Sequence, residues 1–327
     1  MRGLGVFGAW AADMTLGEPR VGHPVRGMGS VLLAGRRWNA EAPASPAARK
    51  LAGTALVLGG ACACWWAGRV LAGRSGTCSA GRSRANEASV PGKLAGALSN
   101  LRVGLALSWV VSLRELLSAG RRVRAALERG DLGRARASLA RHLVSRETAD
   151  LDSEEVAGAA IQSLAENLND AFVAPLFWAL VAGPGAGYAY RWVNTADGVL
   201  GYRTAELEDF GWAAARSDDV LGWIPARLTA AAIVLVAPLV GGSRAGAVEA
   251  VRSSAHVTPS PNGGWPMSAV AGALDVRLEK KGVYVLHAGG APPSATSLAA
   301  AERLVELAGV AIVALAVGPG SAIGRQR

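Results

Sequence analysis

The chain has 327 residues, 51% of them hydrophobic and only 18% charged, with 34 Lys and Arg against 25 Asp and Glu. A chain this apolar is not an intrinsically disordered one. A net charge of +9 on so apolar a chain points to an anionic lipid surface or an anionic substrate, and away from nucleic acid as a partner.

Read in chain order, Gly3 to Ala12 is a short apolar run behind Arg2, with Asp13 directly after it. It reads as a clipped first membrane helix and not as a signal peptide. Four further stretches free of Asp, Glu, Lys and Arg have crossing character: Leu51 to Gly68, Val103 to Leu113, Leu228 to Ser243 and Leu307 to Gly324. A crossing needs about 20 apolar residues, roughly 17 at least. The second stretch therefore reaches a bilayer's thickness only if Arg102 or Arg114 snorkels to the interface. Cys62 and Cys64 lie inside the first stretch, where a helix turns about 200° between them, so they cannot clamp one metal. Cys78 sits in a basic loop. Arginines flank the early segments on both sides, so the charge distribution does not settle the orientation.

Arg114 to Glu155 is basic and helix-like, with Gly130-Asp131 as a break between two helices. A fifth uncharged stretch, Ala171 to Tyr190, is long enough to cross but is interrupted by Pro175 and by Gly183-Pro184-Gly185-Ala186-Gly187. These breakers predict a helical hairpin with a glycine-rich tip. The glycines resemble a phosphate loop only superficially, because no Lys-Ser or Lys-Thr follows them. The fold expected is all-α, a polytopic membrane protein with that hairpin at 171–190 and polar helical loops at about 114–170, 191–227 and 244–306.

The polar segments beside the hairpin carry the chemistry. Glu166 and Asp170 are four apart, which on an α-helix puts two carboxylates on one face with Asn167 beside them. Asn194, Asp197, Tyr202 and Arg203 follow the hairpin. With the tip near Gly185, Asp170 and Asp197 lie roughly 20 Å down each arm at 1.5 Å per residue. That level predicts an oxygen-rich cluster suited to Mg²⁺. Further on, Asp218 and Asp219 with Arg216 and Arg227 either hold a metal or a phosphate, or cap and ion-pair a membrane-surface helix beside Trp223.

The order of these motifs resembles the adenosylcobinamide-phosphate synthase family of cobalamin biosynthesis, CobD/CbiB. The resemblance runs through Leu16-Gly17-Glu18-Pro19-Arg20, His23-Pro24-Val25, Ser145-Arg146-Glu147-Thr148, Ala165-Glu166-Asn167 to Pro175-Leu176-Phe177, and Asn194-Thr195 to Arg203. It continues through Phe210-Gly211-Trp212 to Asp219, Pro225-Ala226-Arg227-Leu228-Thr229, Ser260-Pro261-Asn262, Gly264-Trp265-Pro266, and Ala271 to Leu278. It implies a single membrane domain over 1–327. The chain departs from the family pattern at Gln162 and Met267, where the family carries carboxylates, and at Leu168, Glu18 and Glu147.

The resemblance implies ATP-dependent amide formation between a carboxylate of adenosylcobyric acid and (R)-1-amino-2-propanol or its O-phosphate. The partners it implies are these substrates, membrane lipid and other cobalamin-pathway membrane proteins. It also implies Mg²⁺ and ATP, a multi-pass location in the cell membrane and a cytoplasmic catalytic face. In this reading His23, Glu166, Asp170 and Asp197 are catalytic. Asn167, Asn194, Tyr202, Arg203, Arg216, Arg227 and Asn262 bind substrate or phosphate, and Asp170, Asp197, Asp218 and Asp219 hold Mg²⁺. His256 is a further phosphate contact, and tryptophans 178, 212, 223 and 265 face either the corrin or the membrane interface. A non-catalytic corrinoid-binding scaffold that has lost the carboxylates at Gln162 and Met267 is the alternative.

Overall fold

Ser45 accepts the Ala48 N–H and Pro46 occupies the first turn, and from this start a helix of 26 residues runs to Leu71. It is α3 in a computed structural model that describes residues 2–17, 23–41, 45–73 and 90–318. Glu18, Pro19, Arg20 and Cys78 lie outside the described residues. The helices before and after it are α1 (Arg2–Leu16), α2 (Pro24–Glu41) and α4 (Val90–Ser108). There follow α5 (Leu113–Glu128), α6 (Leu132–His142), α7 (Ser153–Leu168), a π-helical turn (Asn169–Val173), α8 (Ala174–Ala182) and α9 (Pro184–Leu200). The rest comprises α10 (Trp212–Leu221), α11 (Trp223–Val236), a 3₁₀ turn (Ala237–Val240), α12 (Arg244–Ser254), α13 (Gly264–Leu274), strands β1 (Leu278–Lys280) and β2 (Tyr284–Leu286), and α14 (Ala295–Val317). The fold is all-α, with one two-stranded antiparallel hairpin among the described residues.

The chain forms two compact units, the first from Met1–Ser112, Ala174–Leu221 and Val313–Arg327 and the second from Leu113–Val173 and Gly222–Ile312.

In the first unit α9 packs along α3, and α1 crosses α4. The α1–α4 crossing uses two glycines: a Cβ on Gly104 would lie 2.8 Å from the Gly8 carbonyl carbon. Small residues of this kind let backbones touch, a common device between helices in lipid. Buried polar groups on α9 are satisfied by neighbouring helices, the Trp192 indole N–H donating to Val57 O at 3.0 Å and the Tyr188 hydroxyl to Ala106 O at 2.7 Å. Arg102 donates to the terminal carbonyls of α3 at Leu71 and Val70. It caps the end of that helix.

The hairpin is present, but its tip is at Gly183 and not near Gly185. Gly183 has φ +92°, which glycine adopts without strain, and Pro184 opens α9 at its first turn. Gly187 lies inside α9, against the Pro175 carbonyl. The glycine cluster is therefore a turn followed by packing positions, and not a phosphate loop. The arms are also unequal, α8 having 9 residues and α9 having 17.

In the second unit the break at Gly130-Asp131 is as the sequence predicts. Gly130 has φ +71° and Asp131 caps α6 by accepting the Arg134 N–H. Asp152 and Glu155 form a reciprocal capping box at the start of α7, which is buried along most of its length from Val156 onward. The π-helical turn replaces the regular helix expected beyond Leu168. Pro175 has no N–H to give the Ala171 carbonyl, and a widened turn accommodates the missing i→i−4 bond.

Among the described residues three stretches, Pro46–Leu71, Leu94–Glu128 and Trp223–Val240, are long and apolar enough to cross a membrane. Leu51, Leu58 and Trp66 of α3 are exposed large apolar side chains, as a lipid-facing helix requires. The second stretch is interrupted at residues 109–112. The crossing expected at Leu307 to Gly324 falls in the last part of α14 and runs on outside the described residues.

Candidate active site

The second unit gathers the end of α7, the π-helical turn, the start of α11 and the turn before α13. Asn169 is buried, its amide donating to Asp170 Oδ1 at 2.7 Å while its Oδ1 accepts the Thr229 hydroxyl at 3.2 Å. Thr229 is fully buried one helical turn beyond Pro225, whose carbonyl also accepts its hydroxyl at 2.9 Å. This chain of bonds fixes the Asp170 carboxylate against α11. Asn167 donates to the Ser163 carbonyl and hydroxyl, and Ser163 in turn donates to Leu143 O at the end of α6. Asn167 therefore braces α7.

Arg227 lies between two indoles, its guanidinium carbon 4.1 Å from the Trp223 ring centroid and 4.4 Å from that of Trp265. Its Nη1 donates to the Trp223 carbonyl at 2.8 Å and to Asn262 Oδ1 at 3.3 Å. The turn holding Asn262 is shaped by Ser260, whose hydroxyl accepts the N–H groups of Asn262 and Gly263. Gly263 backs directly onto Glu166: a Cβ there would lie 2.8 Å from Glu166 Oε1. A stacked planar guanidinium held by an amide, with a carboxylate one residue further along the turn, suits an anionic substrate and the proton transfer that accompanies its reaction.

Next to Glu166 along α7 stands a neutral joint. The Tyr284 hydroxyl donates to Gln162 Oε1 at 2.8 Å and meets Met267 Sδ at 3.8 Å, while Gln162 Nε2 donates to the Glu279 carbonyl at 3.1 Å. Burial, reinforced by the Glu166 charge, pushes the Tyr284 phenol up to about 12.

In the first unit a second polar cluster forms where α9 packs on α10. Asn194 donates to Asp218 Oδ1 at 3.3 Å and accepts from Arg191 at 3.4 Å. Arg216 pairs with Asp219 at 3.6 Å. Burial raises the Asp219 carboxyl above its ordinary value, against the opposing pull of Arg216 and Arg203. Asp197 lies three residues beyond Asn194 on α9, and Tyr202 and Arg203 are exposed in the turn that follows. Lys50 stacks on Trp212 at 3.9 Å, and the Trp178 indole donates to Leu221 O at 3.0 Å. His23 starts α2: its Nδ1 accepts the Val25 N–H at 3.2 Å and its carbonyl the Arg26 and Gly27 N–H groups.

Among the described residues no group of three or more His, Cys, Asp and Glu side chains is gathered as a metal site. The side-chain oxygens of Asn194, Asp218 and Asp219 are of the donor type that Mg²⁺ takes. That ion commonly takes only one or two carboxylates and completes its shell with phosphate and water. Of the four aspartates in the sequence expectation, Asp170 belongs to the second unit and Asp197, Asp218 and Asp219 to the first.

The sequence pattern of the CobD/Cbib protein family matches residues 6–308. The chain belongs to the CobD/CbiB family. It is 36% identical over 284 residues to the cobalamin biosynthesis protein CobD of Rhodobacter capsulatus, covering 83% of this chain and 80% of that one. It is 43% identical over 189 residues to the protein of the same name from Pelobacter propionicus, where the match spans 58% of each chain. A Mycobacterium tuberculosis protein of that name is 47% identical over 163 residues, half of this chain and 52% of its own length. No solved structure matches the chain.

Seen as a CobD/CbiB protein, the chain brings together two positions that the sequence presents as separate departures. Gln162 and Met267 both meet the Tyr284 hydroxyl. Tyr284 itself is absent from the residues picked out by sequence, although Lys281-Gly282 between two short β-prone runs is a hairpin signal. Asn169 and Thr229 lie within the motifs that the sequence presents but carry no assigned role there. Their signal was a small polar side chain embedded in an apolar run, which must find a partner when buried.

Proposed function

We propose that this CobD/CbiB protein acts in cobalamin biosynthesis as an ATP-dependent ligase. It joins a carboxylate of adenosylcobyric acid to the amine of (R)-1-amino-2-propanol or its O-phosphate. The observation that carries this reading is Arg227, stacked between Trp223 and Trp265 and held by Asn262, beside Glu166.

The corrinoid carboxylate attacks the γ-phosphorus of ATP, forming an acyl phosphate and releasing ADP. The amine then attacks the acyl carbon, the C–N bond forms, the C–O bond to phosphate breaks, and inorganic phosphate leaves. Arg227 offers a fixed, planar set of N–H donors to the acyl phosphate and to the oxyanion of the second step. Glu166 accepts the proton that the amine loses. Asp170, held by Asn169 and Thr229, adds a second carboxylate. Trp223 and Trp265 give the corrin an apolar surface. Asn194, Asp218 and Asp219, with Asp197 beside them, would hold Mg²⁺, which supplies neutralisation of the nucleotide's phosphate charge. Arg203, Arg216 and Tyr202 would assist at the phosphates, while His23 acts through the start of α2.

In this reading the protein is a multi-pass protein of the cell membrane with its catalytic face in the cytoplasm, beside other membrane proteins of the pathway. The non-catalytic scaffold reading draws on the neutral Gln162 and Met267, but both are engaged in anchoring the β-hairpin. Detergent-purified protein with adenosylcobyric acid, aminopropanol phosphate, Mg²⁺ and ATP separates the two. Ligation gives amide and one ADP per amide, whereas a scaffold binds corrinoid and releases no ADP.

A further inference from the structure

A cavity of about 240 Å³ lies between the first turns of α7 and the strand-bearing segment of the same unit. Its lining carries three cations, Arg146, Arg277 and Lys281, and three carboxylates, Glu154, Glu155 and Glu279. The wall is shaped by Gly158 of α7, whose missing side chain lets Pro293 close in: a Cβ there would be 3.1 Å from Pro293 Cγ.

Part of this charge is already paired. Lys281 bridges to Glu155, which also belongs to the capping box, and Arg277 pairs with Glu279 at 2.7 Å. Arg146 is half-buried, and Glu154 is exposed in the first turn of α7. The cavity is smaller than ordinary drug-sized sites of roughly 300–1,000 Å³. At roughly 30 Å³ per water-sized group it admits about eight such groups. A nucleotide or a corrin is too large for it. A three-carbon amino alcohol phosphate, with about nine non-hydrogen atoms, is of the right size.

We propose that this cavity is the binding site for a small zwitterion bearing phosphate and ammonium groups. Its phosphate lies on Arg146 and Arg277, and its ammonium on Glu154. Arginine forks are suited to phosphate, and the carboxylate at the opposite side gives the polarity that orients the amine. The cavity also borders the joint already described. Gly158, Gln162 and Glu166 are successive positions four apart on α7, about 12 Å from first to last at 1.5 Å per residue. Tyr284, bonded to Gln162, feels the charges of both Arg146 and Glu166. A ligand amine leaving the cavity along this face meets Glu166. The identity of the ligand rests on the ligase reading, whereas the cavity and its charges do not.

The test is calorimetric titration of detergent-purified protein with (R)-1-amino-2-propanol O-phosphate, in the absence of ATP and corrinoid. The parallel titrants are the unphosphorylated amine, inorganic phosphate and ATP. Wild type is expected to bind the aminophosphate at least tenfold more tightly than either the amine or phosphate alone. Arg146→Gln and Arg277→Gln each remove that advantage, Glu154→Gln weakens the aminophosphate and the amine alike, and ATP affinity stays within twofold in all three. Arg277 and Glu154 are exposed, so their variants keep the fold. Unchanged aminophosphate affinity in Arg277→Gln and Glu154→Gln overturns the assignment, as does wild-type protein that does not prefer the aminophosphate. Ligation with an unaltered KM for the amine in these variants refutes the cavity alone. Aminophosphate binding at these residues without any ligation refutes the ligase reading alone.

Discussion

Tyr284 on β2 donates its hydroxyl to Gln162 on α7 at 2.8 Å, and the other end of the Gln162 amide donates to the Glu279 carbonyl on β1. One buried side chain thus ties both strands of the hairpin to the helix that presents Glu166. Gln162→Glu removes the donor to Glu279 and sets a carboxylate against a carbonyl oxygen. The expected cost is about 1–3 kcal/mol, the desolvation cost of a buried polar group left unsatisfied. Burial raises the pKa of the new carboxyl, so the loss shrinks as pH falls and the carboxyl regains a proton. Thermal unfolding from pH 5 to pH 8 measures it. A variant equally stable to wild type at pH 8 contradicts the anchoring role.

The same joint has an alkaline limit. The Tyr284 phenol has its pKa raised to about 12 in the folded protein, above roughly 10 in an unfolded chain. Its stabilisation is therefore complete below about pH 10 and is lost as pH rises through the folded value. Tyr284→Phe should abolish that part of the alkaline loss between the two values. Phenolate absorbance during pH titration of wild type and variant, among four tyrosines in all, reads it directly.

Gly263→Ala tests the position of Glu166. Gly263 has φ −58°, which alanine adopts freely, so the melting temperature should hardly change. The new methyl group displaces the Glu166 carboxylate, and kcat for ligation should drop roughly tenfold, about 1.4 kcal/mol. A fall in stability with unchanged kcat would show that Glu166 takes no part in the reaction.

Arg227→Lys keeps the charge but loses the planar fork and the double stacking. Ligation should fall about 100-fold in kcat, the scale for removal of one preorganised donor to a developing oxyanion. Near wild-type turnover by the lysine variant would leave Arg227 with only a structural part.

A cytoplasmic catalytic face is tested by one cysteine at Val257, exposed five residues before Asn262 in the same unit, in a background lacking Cys62, Cys64 and Cys78. A membrane-impermeant thiol reagent should label it only in opened cells. Labelling in intact cells contradicts the orientation.

The sequence announced those features that rest on local backbone chemistry. Gly130-Asp131 ends one helix and caps the next because a left-handed residue followed by a side-chain acceptor does so wherever it occurs. The Gly183-Pro184 reversal is legible for the same reason, though the neighbouring glycines masked which of them forms the tip. The site was legible only in part. Glu166 and Asp170 were placed four apart on a regular helix, and the π-helical turn at Asn169–Val173 changes that spacing through a proline five residues beyond Asp170. Arg227 with Asn262, 35 residues apart, and Gln162 with Tyr284, 122 apart, meet only through tertiary packing. No periodicity encodes such pairs.

The ligase account stands most directly on where the oxygen of the corrinoid carboxylate goes. Adenosylcobyric acid labelled with ¹⁸O in the reacting carboxylate, incubated with the protein, Mg²⁺, ATP and aminopropanol phosphate, should give amide, ADP and inorganic phosphate in equal amounts. Each phosphate should carry one ¹⁸O from the labelled carboxylate, because the C–O bond to the acyl phosphate is the one that breaks. Corrinoid that is bound but returned unchanged, with no ADP formed, would contradict the account.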